Sequence, residues 1–124
     1  MRCSDISLFG LVIGTSVATK LYVSSYAGTV TSLELSGTAS SNYTLRQVGV
    51  NTASRTAPSW LEKDNLNGVV YSLDEGFSGP NGSITAFQTT ASGLLAQIGN
   101  ALPVISGPVS SVLFNGGKAL AVAH

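Results

Sequence analysis

The chain repeats itself at intervals of about 49 residues, and that interval restricts its fold more than any other feature. Tyr22, in Leu21-Tyr22-Val23-Ser24-Ser25-Tyr26-Ala27-Gly28, recurs 49 positions later as Tyr71, in Val70-Tyr71-Ser72-Leu73-Asp74-Glu75-Gly76. Leu45-Arg46-Gln47-Val48-Gly49 is matched by Leu95-Ala96-Gln97-Ile98-Gly99 at a spacing of 50, and Val30-Thr31-Ser32-Leu33 by Ile84-Thr85-Ala86-Phe87 at 54. The extra residues fall in Phe77–Gly82, where Gly, Pro and Asn mark a loop that tolerates changes of length. A third unit opens near Gly107-Pro108, and its Gly117–Ala123 follows Gly68-Val69-Val70-Tyr71 at 49.

Within each unit the pattern is that of strands. The runs 20–26, 29–35, 44–50, 69–74, 82–90, 94–99 and 118–123 are rich in Val, Leu, Tyr, Phe and Thr, and Gly, Asn, Ser or Pro bound most of them. Thr29–Leu35 places Val30, Leu33 and Leu35 in a two-residue rhythm with one slip. Gly82–Gln88 alternates, with Ile84 and Phe87 expected near one face. A helix is the alternative at Leu94–Leu102, but Gly99 and Pro103 shorten it.

Repeats of this length with about four strands each fit the blades of a β-propeller. One four-stranded blade cannot cover both of its own faces, so blades stack around an axis and bury one another. A ring takes at least four, or roughly 196 residues at the observed period. The expected fold is therefore all-β: a partial β-propeller of about two four-stranded blades and the start of a third, spanning 19–124. The sequence reads as the N-terminal part of such a ring.

Lys plus Arg and Asp plus Glu number 6 each, so the formal charge is zero, and charged residues are only 10% of the chain. A chain without a basic surface is a poor general nucleic-acid binder, because it cannot displace counterions from phosphates. No apolar run approaches the ~20 residues that span a bilayer. Residues 1–18 read as a secretory leader: Arg2 supplies a positive start, Leu8–Gly14 an apolar stretch, and Ser16-Val17-Ala18 small residues before a cleavage site at Thr19. Two sequons, Asn42-Tyr43-Thr44 and Asn81-Gly82-Ser83, fit an exported chain and make Asn42 and Asn81 glycosylation candidates. The alternative is a cytoplasmic chain in which 6–17 is a buried element of the fold. Cys3, the single cysteine, lies inside the leader, so the mature chain would have no disulfide, zinc–thiolate site or thiol nucleophile.

Ala57-Pro58-Ser59-Trp60-Leu61, then Val70–Glu75, then Gly82–Phe87 resemble, in order and spacing, motifs of the lactonase-type seven-bladed propellers, the cycloisomerase 2 family. Gly107–Ser110 and Asn115–His124 resemble a later motif of that family, and Leu21–Gly28 resembles its first strand. The resemblance covers nearly all of 20–124 and is strongest to the secreted fungal branch. It implies a kinship with 6-phosphogluconolactonases and carboxy-muconate lactonizing enzymes. It further implies a basic and acidic cluster at one mouth of a central channel, and a small lactone or carboxylic acid as partner of a full-length chain about three times longer. No cofactor is implied.

Glu75 matches the family's acid at the end of a blade strand, where it would act as a base or bind a substrate hydroxyl. The plainer reading is a structural acid closing the turn into Gly76. Ser110 stands where the family often has histidine; as a nucleophile it would need a base, and the sequence offers none beside it. Arg46 and Arg55 are candidates for gripping a carboxylate or phosphate, against a plain solvated role. Trp60, the sole tryptophan, is a candidate for stacking on a sugar or for packing between blades. His124, the only histidine, would titrate near neutral pH, but as the terminal residue it reads equally as frayed chain. No metal-ligand spacing, P-loop or Ser-His-Asp pattern appears. The expected product is inactive alone and self-associates through open blade edges. The alternative for the complete ring is a non-catalytic secreted propeller that binds ligands or serves as a surface antigen.

Overall fold

A computed structural model describes residues 18–38, 40–52 and 55–124. The expected leader, Ala18 apart, lies outside the described residues, as does Cys3. The described chain forms nine strands: β1 (Thr19–Ser25), β2 (Thr29–Ser36), β3 (Thr44–Asn51), β4 (Pro58–Asp64), β5 (Val69–Asp74), β6 (Gly82–Thr89), β7 (Leu95–Val104), β8 (Ser110–Phe114) and β9 (Ala119–Ala123). They pair antiparallel into three meanders, β1-β2-β3, β4-β5-β6-β7 and β8-β9, with β1 lying against β4 and β4 against β8. The fold is all-β and has the form of a partial propeller.

The repeat assigns each strand its counterpart. Tyr22 on β1 answers Tyr71 on β5, so the first sheet corresponds to the last three strands of the second. The third sheet corresponds to the first two strands of the second, because Gly117 answers Gly68 in the turns before β9 and β5. The blade count therefore differs in detail from the expected two four-stranded units: among the described residues, one sheet has four strands and the first has three. Strands β4 and β8 were absent from the expected set. Pro58-Ser59-Trp60-Leu61-Glu62-Lys63-Asp64 is too polar to announce a strand, because β4 is the edge strand of its sheet and is exposed along part of its length.

Register explains which side chains are buried. Tyr22 opposes Ser32, and Ser32 opposes Gly49, so these share a face with Val30. That face meets the second sheet: a Cβ on Gly49 would lie 2.5 Å from the Leu94 side chain, and Asn51 Nδ2 donates to the Leu95 carbonyl at 3.1 Å. Across the junction lie Val70, Ser72, Thr85 and Phe87, all essentially buried. The far face of the second sheet carries Tyr71, Leu73 and Ile84 and turns toward β8, with Gly82 packed on Pro108.

Two expectations on faces are corrected. Ile84 and Phe87 point to opposite faces, because three residues is an odd step along a strand; both sides of this sheet are packed, so both can be apolar. Likewise Val30 lies opposite in face to Leu33 and Leu35. A bulge between Ser32 and Leu33 in the β2–β3 pairing coincides with the slip seen in the sequence rhythm. The helical alternative at Leu94–Leu102 gives way to β7, which carries Gly99 at φ 60° and shifts register between Ile84 and Ala86.

Candidate functional site

The repeat brings chemistry-bearing residues to one end of the sheets. Tyr26 follows β1, Glu75 follows β5 and His124 follows β9, each separated from the next by 49 residues. The segments leading into β4 and β8 reach the same end, since Pro58 pairs with Asp74 and Ser110 with Ala123.

Backbone contacts fix Glu75 from two sides. Its N–H donates to the Ala57 carbonyl at 3.1 Å, and its own carbonyl accepts from Gly107 N–H at 2.9 Å, tying the loop to the segments before β4 and before β8. Its neighbour Asp74 is buried and acts as a clasp. One carboxylate oxygen accepts from Ala57 N–H at 2.6 Å and the other from Gly76 N–H at 2.8 Å. The adjacent acids thus divide their work, Asp74 bracing the backbone and half-buried Glu75 presenting its carboxylate at the end of the sheet. Tyr26 Oη donates to Glu75 Oε1 at 2.9 Å, and the Tyr26 ring stacks on Phe77 with centroids 6.0 Å apart. The hydrogen bond to Glu75, followed by desolvation and the carboxylate's charge, raises the Tyr26 phenol above its ordinary value.

Arg55 sits beside this pair with φ 59°, a left-handed backbone uncommon outside glycine. Its carbonyl approaches Gly28 so closely that a Cβ there would lie 2.5 Å from the oxygen. Gly28, itself at φ 79°, has no Cβ, which admits the approach. Arg55 and Thr56 line two cavities. One, of about 410 Å³, also takes Tyr26 and Thr52; the other, of about 290 Å³, takes Ser78, Asn81 and Ser83. Among the described residues no carboxylate pairs with Arg55. Arg55 is thus a solvent-facing cation shared by both cavities, and Tyr26, which lines the larger one, is hydrogen-bonded to Glu75; an exposed guanidinium of this kind suits an oxygen-rich anion.

A family model described as "Lactonase, 7-bladed beta-propeller" matches residues 20–124. The chain belongs to that lactonase family. Comparison with curated proteins and with solved structures gave no match. The three sheets of this lactonase chain are accordingly blades, and the end that carries Tyr26, Glu75 and His124 is one mouth of the propeller.

The other candidates are dispersed over the lactonase chain. Arg46 lies toward the opposite end of β3 and pairs with Glu34 at 3.1 Å, and Glu34 also holds Lys20 across β1. Trp60, partly exposed on β4, donates from Nε1 to Glu62 Oε2 at 3.4 Å. Ser110 begins β8, half-buried, with no basic side chain bonded to it among the described residues. His124 Nδ1 lies 3.4 Å from the Ser106 carbonyl oxygen in an exposed contact. Asn42 and Asn81 are both exposed, Asn42 between β2 and β3 and Asn81 at the mouth. Among the described residues no group of three His, Cys, Asp or Glu could hold a metal ion. Sequence pattern marks Glu75 but not Tyr26 as a candidate; the 49-residue step that links Tyr22 to Tyr71 also links Tyr26 to Glu75.

Proposed function

We propose that the mouth built by Tyr26, Arg55 and Glu75 is one wall of a lactone-handling site, and that it recognises a small lactone or hydroxy acid bearing a carboxylate or phosphate. The observation that carries this reading is the Tyr26–Glu75 hydrogen bond in a lactonase-family chain, with Arg55 on the same cavity as Tyr26 and paired with no carboxylate among the described residues. Arg55 would anchor the anionic group. Glu75, oriented by Tyr26, would accept a proton from a ring hydroxyl or an attacking water. The chain alone is inactive in this reading, because the described strands make up fewer than seven blades and the remaining walls of the mouth are missing from them.

The test combines binding with turnover. Titration of the chain with an aldonate, followed by NMR, should show weak saturable shifts that Arg55→Ala abolishes, while incubation with a δ-lactone or a carboxy-muconate should give no product. Shifts that survive Arg55→Ala would refute the anchoring role. A second reading, a non-catalytic binding or surface-antigen propeller, is favoured by Ser110, which occupies a family histidine position with no base bonded to it among the described residues. Binding with no turnover in a complete seven-bladed ring carrying these residues would decide for it.

Export is part of the proposal. Its support is the leader pattern of 1–18 and the exposure of both sequon asparagines, and the alternative remains a cytoplasmic chain. Expression with the native N-terminus in a eukaryotic secretory host should release the chain to the medium, with a glycosidase-sensitive mass removed stepwise by Asn42→Gln and Asn81→Gln. Retention in the cytoplasm would overturn it.

A further inference from the structure

Two aromatic rings stand in the open at the mouth. Phe77 is 71% and Tyr26 62% exposed, and they stack on each other with centroids 6.0 Å apart and planes 22° from parallel. Stacking occupies one face of each ring and leaves the other face clear. Exposed aromatic surface of this size forgoes the gain that burial brings. The place of Phe77 in the fold does not account for that loss. Its loop joins β5 to β6 in the middle sheet, which is flanked through β4 by β1 on one side and by β8 on the other. Both flanking sheets are present, and Phe77 still packs on Tyr26 in the open.

The backbone on either side of Phe77 is pinned. Gly76 N–H donates to the buried Asp74 carboxylate at 2.8 Å, and Gly79 N–H closes a turn onto the Gly76 carbonyl at 3.0 Å, which sets Phe77 at the second position of that turn. Thr56 Oγ1 donates to Ser78 Oγ at 3.3 Å. A ring carried on a pinned turn is preorganised, so a ligand that meets it does not have to order it first. A polar group stands beside the rings. Tyr26 Oη donates to Glu75 Oε1, and Glu75 Oε2 has no hydrogen-bond partner among the described residues. The set therefore offers a π face, negative at its centre, to C–H groups, and a carboxylate oxygen to hydroxyl donors. A pyranose ring supplies both, with C–H bonds across a face and hydroxyls around its edge. A planar polycarboxylate supplies neither.

We propose that Phe77 and Tyr26 form a platform on which a saccharide ring stacks, with Glu75 Oε2 accepting one of its hydroxyls. The platform requires neither a lactone bond nor an anionic group on the ligand, so it goes beyond the Arg55 anchor. It rests on the proposed function only in taking the mouth as the end of the chain that meets ligands.

Uncharged sugars test it. The methyl glycosides of glucopyranose, galactopyranose and mannopyranose are each titrated with the chain and followed by proton NMR. At least one should bind saturably, its ring C–H signals moving upfield as they enter the shielded zone over an aromatic face. Phe77→Ala should weaken that binding about fivefold or more and remove the upfield shift, on the scale of one aromatic stacking contact. Phe77→Tyr keeps a ring and should retain both; Phe77→Leu, apolar but without a π face, should lose both. Glu75→Ala should weaken binding as well, since the hydroxyl loses its acceptor. Slow amide exchange at Gly76 in the Phe77 variants verifies that the turn is kept. Failure of all three glycosides to bind would overturn the proposal. So would full affinity in Phe77→Ala or Glu75→Ala, or a Phe77→Leu variant as good as wild type. The aldonate titration reads the Arg55 anchor separately. If the aldonate fails to bind while a glycoside stacks, the anchor falls and the platform stands; the reverse result removes the platform alone.

Discussion

Tyr26 Oη donates a 2.9 Å hydrogen bond to Glu75 Oε1 from one repeat length away in sequence, so equivalent positions in neighbouring blades touch. The bond stabilises the neutral phenol, and the Tyr26 pKa lies above its ordinary 10.0. A raised folded value means that the linked stability is complete below pH 10 and is lost as pH climbs from there through the folded pKa. Ultraviolet difference titration of wild type against Tyr26→Phe isolates this phenol from the other three tyrosines. Its midpoint should fall toward 10 in Glu75→Gln. An unchanged midpoint would mean that the carboxylate does not hold the ring.

Tyr22–Tyr71 and Leu45–Leu95 made the repeat visible, and with it the blades, because matched apolar positions must satisfy the same burial. The polar site was harder to see. Tyr26 and Glu75 differ in residue type, so a search for likeness passes over them although their spacing is the same. Strand β4 was hidden for a related reason: at the edge of its sheet it has less need of alternating apolar side chains. Arg55 was marked as a candidate by its charge alone, and no local pattern announces its backbone. Its left-handed backbone lies against Gly28 of the β1–β2 turn, a tertiary fact.

Gly28 can be tested for that role. A methyl group at Gly28 would collide with the Arg55 carbonyl, and φ 79° disfavours any side chain. Gly28→Ala should therefore cost about 1–3 kcal/mol, the range for a side chain forced into a left-handed conformation. Ligand shifts assigned to the Arg55 cavity should weaken with it. Retention of full stability and binding would show that the loop relaxes freely.

Asp74 joins two backbone donors in a buried setting, so its removal strands both. Asp74→Ala should destabilise the chain by about 2–4 kcal/mol, the scale for losing charged hydrogen bonds and leaving buried N–H groups unpaired. The measurement is chemical denaturation of the variant against wild type. Hydrogen exchange at Ala57 and Gly76 should accelerate with it, because these are the amides the carboxylate holds. Faster exchange elsewhere with slow exchange at these two would refute the clasp.

Phe87, fully buried at the junction of the first two blades, is the packing counterpart of that clasp. Truncation to alanine removes most of its side chain without polar compensation, and the expected loss is about 3–5 kcal/mol. Thermal unfolding should shift down while remaining one cooperative transition that spans both sheets. A variant whose first sheet melts separately while the second is unaffected would show that the blades do not share this core.

Glu34 gives the fold an acid-sensitive tie. Hydrogen bonds from Lys20 and then Arg46 hold its carboxyl below the ordinary 4.5, joining β1, β2 and β3 through one side chain. Because the folded value is depressed, the contribution is present above pH 4.5 and disappears as pH falls from there through the folded pKa. Arg46 is exposed and the Lys20–Glu34 pair partly so, and salt should weaken the cluster as well. Melting temperatures of wild type and Glu34→Gln, measured from neutral pH downward, should differ at neutral pH with wild type the more stable, and converge once Glu34 is protonated. Curves that run parallel through the acid range would show that the three-residue ion cluster adds nothing to the first blade.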